Sequence, residues 1–158
     1  MAFLTLATLC FFGSAAWGRE QITTVAEFQS SLGSLTISNL IRSDRDRRGQ
    51  LYLRCEKLGS PLWFTKPQWA TFRDNCSQAM QISRKLPQGQ SRLLIKFETV
   101  GGSDVQIEAL RPTRKPAIRI TRVPLKGDSY PAVPFVVDAS DFSSLQEALD
   151  KVWQHLSQ

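Results

Sequence analysis

The stretch Pro61–Met80, PLWFTKPQWATFRDNCSQAM, and the stretch Pro134–Trp153, PFVVDASDFSSLQEALDKVW, align without a gap at an offset of 73 positions. Each opens with proline and three apolar residues, passes a polar capping residue and continues with apolar residues at helical spacing. Identities are few, so what repeats is a pattern: a short strand running into an amphipathic helix. In the first copy Thr65 caps the helix with Gln68 as reciprocal partner, and Pro67 is tolerated in the first turn. Trp69, Phe72, Cys76 and Ala79 then share one face out to about Ser83. In the second copy Asp138 or Ser140 is the expected cap, and Phe142, Leu145, Leu149, Val152 and Leu156 form the apolar stripe.

Upstream of the first copy, Leu35, Ile37 and Leu40–Ile41 read as strand, residues 44–49 (DRDRRG) as a charged turn, and Leu51–Lys57 and Leu62–Phe64 as two further strands. Residues 24–32 read as a short helix: Thr24 and Glu27 make a capping box, Val25, Phe28 and Leu32 share a face, and Gly33 supplies a stop. Pro87–Ser91 separates the halves. In the second half, Leu93–Val100 and Val105–Leu110 form a hairpin around the turn Gly101–Asp104, followed by strands at Ala117–Val123 and Val133–Val137. The fold expected is α+β, with antiparallel sheets packed on two longer amphipathic helices and an internal duplication of a strand-strand-strand-helix unit. It forms one domain over residues 19–158, with halves at about 24–86 and 92–158.

Phe3–Phe12 (FLTLATLCFF) is an uncharged apolar run, followed by small residues and the first charge at Arg19. Ten apolar residues span about 15 Å as a helix, half of a ~30 Å hydrocarbon core. The run therefore reads as a secretory signal, residues 1–18, cut after Gly18, and the chain is expected to be secreted or periplasmic. Of the three cysteines, Cys10 leaves with the signal. Cys55 lies on a strand face with Leu51 and Leu53, and Cys76 lies on the Trp69–Phe72 stripe. An even cysteine count in an exported chain makes Cys55–Cys76 the expected disulfide. Asn75-Cys76-Ser77 also matches a glycosylation triplet.

Nucleophile elbows, HExxH, P-loops, CxxC pairs and G-x-G-x-x-G are absent, and one His with three Cys leaves little material for a metal centre. No cofactor and no catalytic residue is expected. His155 reads as a helix-end residue, Asp44 and Asp46 as partners of neighbouring arginines, and Glu98 and Glu108 as strand-face carboxylates beside Lys96. The usable signal is positive charge. Lys and Arg exceed Asp and Glu by six. Arg111, Arg114, Lys115, Arg119, Arg122 and Lys126 follow one another with no intervening carboxylate, and Arg42, Arg45, Arg47 and Arg48 crowd the earlier turn. This basic face is the candidate ligand site, because guanidinium forks match phosphate and carboxylate.

The composition therefore points to a non-enzymatic, exported binding module for an anionic ligand or an acidic protein surface. A second reading comes from a resemblance. Strand runs ending in a helix, given twice, resemble the ββββα plan of Whirly, PUR-repeat and PC4-type proteins, and Ser60–Asn75 (SPLWFTKPQWATFRDN) resembles the strand-to-helix turn of the last. The resemblance implies single-stranded nucleic-acid binding, with no functional residue carried over, and the first half as read is one strand short of the plan. Stacking on bases needs exposed rings. Tyr52 and Tyr130 are the candidates, with Trp63, Phe64, Trp69, Phe72, Phe97 and Phe142 assigned to the core. A small secreted inhibitor, or an assembly factor held by strand addition, is the third reading.

Overall fold

The computed structural model describes residues 20–31, 33–43, 45–55, 58–125, 127 and 131–158. The expected signal 1–18 and residues Cys10, Leu32, Asp44, Lys57, Lys126 and Tyr130 lie outside them. The element order is β1 (Gln21–Ser30), β2 (Gly33–Ser43), β3 (Asp46–Cys55), β4 (Leu58–Phe64) and α1 (Lys66–Lys85), then β5 (Ser91–Glu98), β6 (Asp104–Leu110), β7 (Ala117–Val123), β8 (Val133–Asp138) and α2 (Phe142–Leu156). The two antiparallel sheets, β1-β2-β3-β4 and β5-β6-β7-β8, are called sheet 1 and sheet 2. The α+β class and the repetition hold, but the repeated unit has four strands before its helix.

The extra strand is β1, where a helix was expected. Ile22, Thr23, Thr24 and Val25 are consecutive β-branched residues, which lose side-chain freedom in a helix and suit a pleated surface. A nine-residue helix is also too short to stand without strong tertiary support. Instead β1 pairs with β2 from Gln21↔Ile41 to Ser30↔Gly33, with a bulge between Thr24 and Ala26. Gly33 closes the hairpin rather than a helix. Its φ is 151°, and a Cβ there would lie 1.8 Å from the Arg54 carbonyl oxygen.

Alternation along each strand sets the layers. On sheet 1 the rows Leu35–Leu53 and Ile37–Leu51–Leu62 face the helices, as do Ala109–Ile118–Val137 and Ile107–Ile120–Phe135 on sheet 2. The helices cross over between repeats: α1 lies mainly on β6 and β7, while α2 lies on β1, β2 and β3. The two repeats thereby share one core. Trp69, wholly buried on α1, donates its Nε1–H to the Leu149 carbonyl of α2 at 3.0 Å. Gly49 makes room for it, since a Cβ there would sit 2.3 Å from the indole. Phe64 packs on Trp69, Phe72 and Phe97 with ring centroids 5.3–6.3 Å apart.

The start of α1 follows the expectation: Gln68 Oε1 accepts the Thr65 backbone N–H at 2.9 Å, and Pro67 sits in the first turn. The helix ends at Lys85, with Leu86 donating back to Ile82 and Ser83 and Pro87 beyond. At α2 the capping position belongs to Asp141, not Asp138 or Ser140.

The expected disulfide is not formed: Cys55 and Cys76 are free thiols. The expectation placed β3 and α1 of one repeat in a single layer. The helix crossover instead carries the buried face of α1, Cys76 included, onto sheet 2, while Cys55 stays at the β3–β4 hairpin opposite Leu58. Cys76 is fully buried, and desolvation pushes its thiol far above the usual range, so it behaves as a small hydrophobe.

Candidate functional site

The cations expected to share one face are distributed by strand alternation to several places. Arg47 points inward from β3 and donates to the His155 carbonyl at the end of α2 at 3.3 Å, where a cation complements the helix dipole. Arg48 points outward and binds Asp46 through Nε and Nη2 at 2.8 and 3.0 Å. Arg45 is exposed in the β2–β3 turn. Arg119 is on the outer face of β7, held by Glu108 at 3.0 and 2.5 Å. Arg122 lies on the inner face of the same strand, 8% exposed, with Nη2 donating to Ser103 Oγ at 3.2 Å. Lys126 falls outside the described residues.

Arg111, Arg114 and Lys115 do gather, and they gain neighbours from elsewhere in the chain. Arg111 Nη1 donates to the carbonyls of Arg84 and Leu86 at 2.7 and 3.0 Å, satisfying the C-terminus of α1. Its backbone pairs with Gln90 and Gly89. Since Ser91, Leu110 and Ala117 form the terminal row of sheet 2, Arg84, Lys85 and Arg92 come to the same end as the β6–β7 loop. Among the described residues none of these six makes an ion pair, and Arg84, Lys85, Arg92, Arg114 and Lys115 are exposed. Arg84, Lys85 and Arg92 were missed because the sequence reading sought a run. Their signal was their position either side of the Pro87–Ser91 loop.

A second surface is the outer face of sheet 1. Arg48, Gln50, Tyr52 and Arg54 alternate along β3 away from the helices. Their cross-strand neighbours are Ser38, Thr36 and Ser34 on β2 and Trp63, Pro61 and Gly59 on β4. Tyr52 is 38% exposed and Arg54 is exposed. Trp63 is not a core residue: it is half-buried on this outer face, with its carbonyl accepting the Val100 N–H at 2.9 Å. Beside it lies a hollow of about 210 Å³ lined by Leu40, Arg42, Arg48, Trp63 and Val100. Arg42 there is bound to Glu20 at 2.5 Å. Phe64, Trp69 and Phe72 take the core places expected of them, and Phe97 and Phe142 pack half-buried against it.

The acidic groups do not converge. Glu98 lies opposite Asp104 and Glu108 opposite Leu93, so the two glutamates do not meet across the hairpin. Lys96 binds Asp104 at 2.8 Å. Asn75 of the glycosylation triplet lies within α1 and donates to the Thr71 carbonyl at 2.8 Å. Among the described residues no group of His, Cys, Asp and Glu is placed to hold a metal ion. His155, in the last turn of α2, has a pKa below the ordinary 6.5, through burial first and the Arg47 charge second. No helix among the described residues is long and apolar enough to cross a membrane. The chain matches no protein-family model and no curated protein.

Proposed function

We propose that the chain is a non-enzymatic binding protein for an anionic polymer, and that single-stranded nucleic acid is the polymer its surface fits best. The observation that carries this reading is the outward row Arg48–Gln50–Tyr52–Arg54 with Trp63 on the adjacent strand. Rings for base stacking stand beside guanidinium groups for phosphate and hydroxyl groups for base edges or sugar. The duplicated ββββα arrangement adds support, since the strand absent from the sequence reading is β1. The six cations at the end of sheet 2 supply a field that draws in a polyanion. Fluorescence anisotropy with labelled oligo-dT and a duplex of equal length, over a salt series, tests the reading. Tighter binding to the single strand and a linear fall of log affinity with log salt are expected. Equal affinity for both forms, or no binding at low salt, would overturn it.

A second reading is favoured by the ion-pair-free end of sheet 2: an exported module that docks an anionic ligand or an acidic protein face there. Under it, oligo-dT and a sequence-unrelated polyanion such as heparin compete equally, Tyr52 contributes nothing, and protein from its native cell has lost residues 1–18.

A further inference from the structure

Trp63 and the six unpaired cations stand at opposite ends of sheet 2. At one end, the Val100 N–H just beyond β5 meets the Trp63 carbonyl at 2.9 Å. At the other, Arg84, Lys85, Arg92, Arg111, Arg114 and Lys115 gather about the terminal row Ser91–Leu110–Ala117. Two elements measure the separation. The strand β5, Ser91–Glu98, is about 23 Å long at ~3.3 Å per residue. The helix α1 begins beside Glu98, where Gln68 Nε2 donates to the Glu98 carbonyl at 3.0 Å, and ends where the Arg84 carbonyl accepts from Arg111 at 2.7 Å. Gln68 to Arg84 is about 24 Å of helix at ~1.5 Å per residue. The surface between the ends does not favour a polyanion. On the outer face of sheet 2 it carries exposed Glu98 and the pairs Lys96–Asp104 and Arg119–Glu108, and along α1 Arg73 is drawn to Asp74 and Asp150. A strand tracking from one end to the other meets carboxylates by either route. The ends also differ in chemistry. Residues 84–92 and 110–116 contain no aromatic ring, and the carboxylate of the terminal row, Asp138, is on β8 at the opposite edge from Arg92. Cations without rings hold backbone phosphate rather than unstacked bases. Their pull grows with charge density, and a duplex carries one negative charge per ~1.7 Å of its axis.

We propose that the end of sheet 2 is a second nucleic-acid site, for the phosphate backbone of a duplex, so that one chain bridges a single strand on sheet 1 to a duplex segment. The bridge rests on the single-strand reading of sheet 1, and the two fail differently. Donor-labelled oligo-dT and an acceptor-labelled G·C duplex are mixed with the full chain at low salt, while energy transfer and sedimentation are followed. Transfer should require the chain, and the sedimenting complex should hold one chain, one oligonucleotide and one duplex. Arg84→Gln with Arg114→Gln should weaken the duplex at least tenfold and remove the transfer while oligo-dT is still held. Both side chains are exposed, and Arg111, whose guanidinium closes α1, is left in place. Tyr52→Ala with Trp63→Ala should do the converse, releasing oligo-dT and keeping the duplex. Oligo-dT bound without the duplex, the two nucleic acids displacing one another from a single surface, or equal transfer in the Arg84 and Arg114 variant would overturn the bridge and leave the single-strand reading standing. Phosphatidylglycerol vesicles captured through Arg84 and Arg114 with no duplex bound would likewise overturn it, giving these cations to a lipid surface. No oligo-dT bound at all would overturn both.

Discussion

The outer faces of the two sheets share a strand plan and differ in chemistry. On sheet 1 the outward residues include Tyr52, Trp63, Arg48 and Arg54 among serines and threonines. On sheet 2 the matching rows are Glu108–Arg119–Val136 and Gln106–Thr121–Pro134, without an aromatic ring, while Lys96 and Arg119 are paired with Asp104 and Glu108 much as Arg48 is paired with Asp46 on sheet 1. Repetition of the strand plan therefore does not repeat the surface. Inward positions are constrained alike by packing in both halves, whereas outward positions are free to diverge. The largest expected effect follows directly. Tyr52→Ala together with Trp63→Ala should cost about 1–3 kcal/mol of oligo-dT affinity per ring, while Arg119→Gln on the other face should change affinity less than about twofold. Anisotropy measures this, with thermal melting to confirm that the half-buried Trp63 site still folds. Comparable losses on both faces would erase the distinction.

A finer test moves the Tyr52 ring without removing it. A Cβ on Gly59 would lie 1.9 Å from the Tyr52 hydroxyl and 2.5 Å from Cζ. Tyr52 is an exposed residue and the clash is with the far end of its side chain, so Gly59→Ala should displace the ring at a stability change within about 0.5 kcal/mol. Oligo-dT affinity should fall toward that of Tyr52→Ala. The converse change is made on sheet 2, where Asp104→Asn with Glu108→Gln releases Lys96 and Arg119. The cations of these pairs are exposed and the carboxylates half-buried, so their loss should cost only about 1 kcal/mol each, and the fold should persist while the salt slope of polyanion binding steepens by about one to two.

How far this was legible in the sequence depended on which force decided each element. The unit Pro61–Met80 was readable because a local cap, a proline in the first turn and an apolar stripe all agree. The strand β1 was not, because Thr24 and Glu27 imitate a capping box while the deciding term, pairing with β2 across Gly33, is non-local. The same holds for Cys55 and Cys76: each was placed on a buried face, but the crossing of helices between repeats, invisible in one strand-to-helix unit, sends those faces to different layers. The cations at the end of sheet 2 come from three separated segments that only the fold assembles. Trp63 was misplaced for a simpler reason. Alternation puts Leu62 and Phe64 inward, and their neighbour must then point outward.

The helix layers differ as well, and pH should separate them. The α2 layer over sheet 1 ends in His155, whose Nε2 is buried and makes no hydrogen bond, and whose neighbour Arg47 disfavours a second positive charge. Its folded pKa lies below the ordinary 6.5 of the unfolded chain. Between these values the unfolded chain binds more protons, so stability declines as pH drops through 6.5 and levels off below the folded value. The α1 layer over sheet 2 buries Cys76 instead, which stays a neutral thiol throughout that range. Amide exchange in the last turns of α2 should accelerate between pH 7 and about 5 relative to the buried middle of α1. His155→Gln should flatten the dependence. An acceleration of equal size in both helices would show that acid loosens the shared core as a whole.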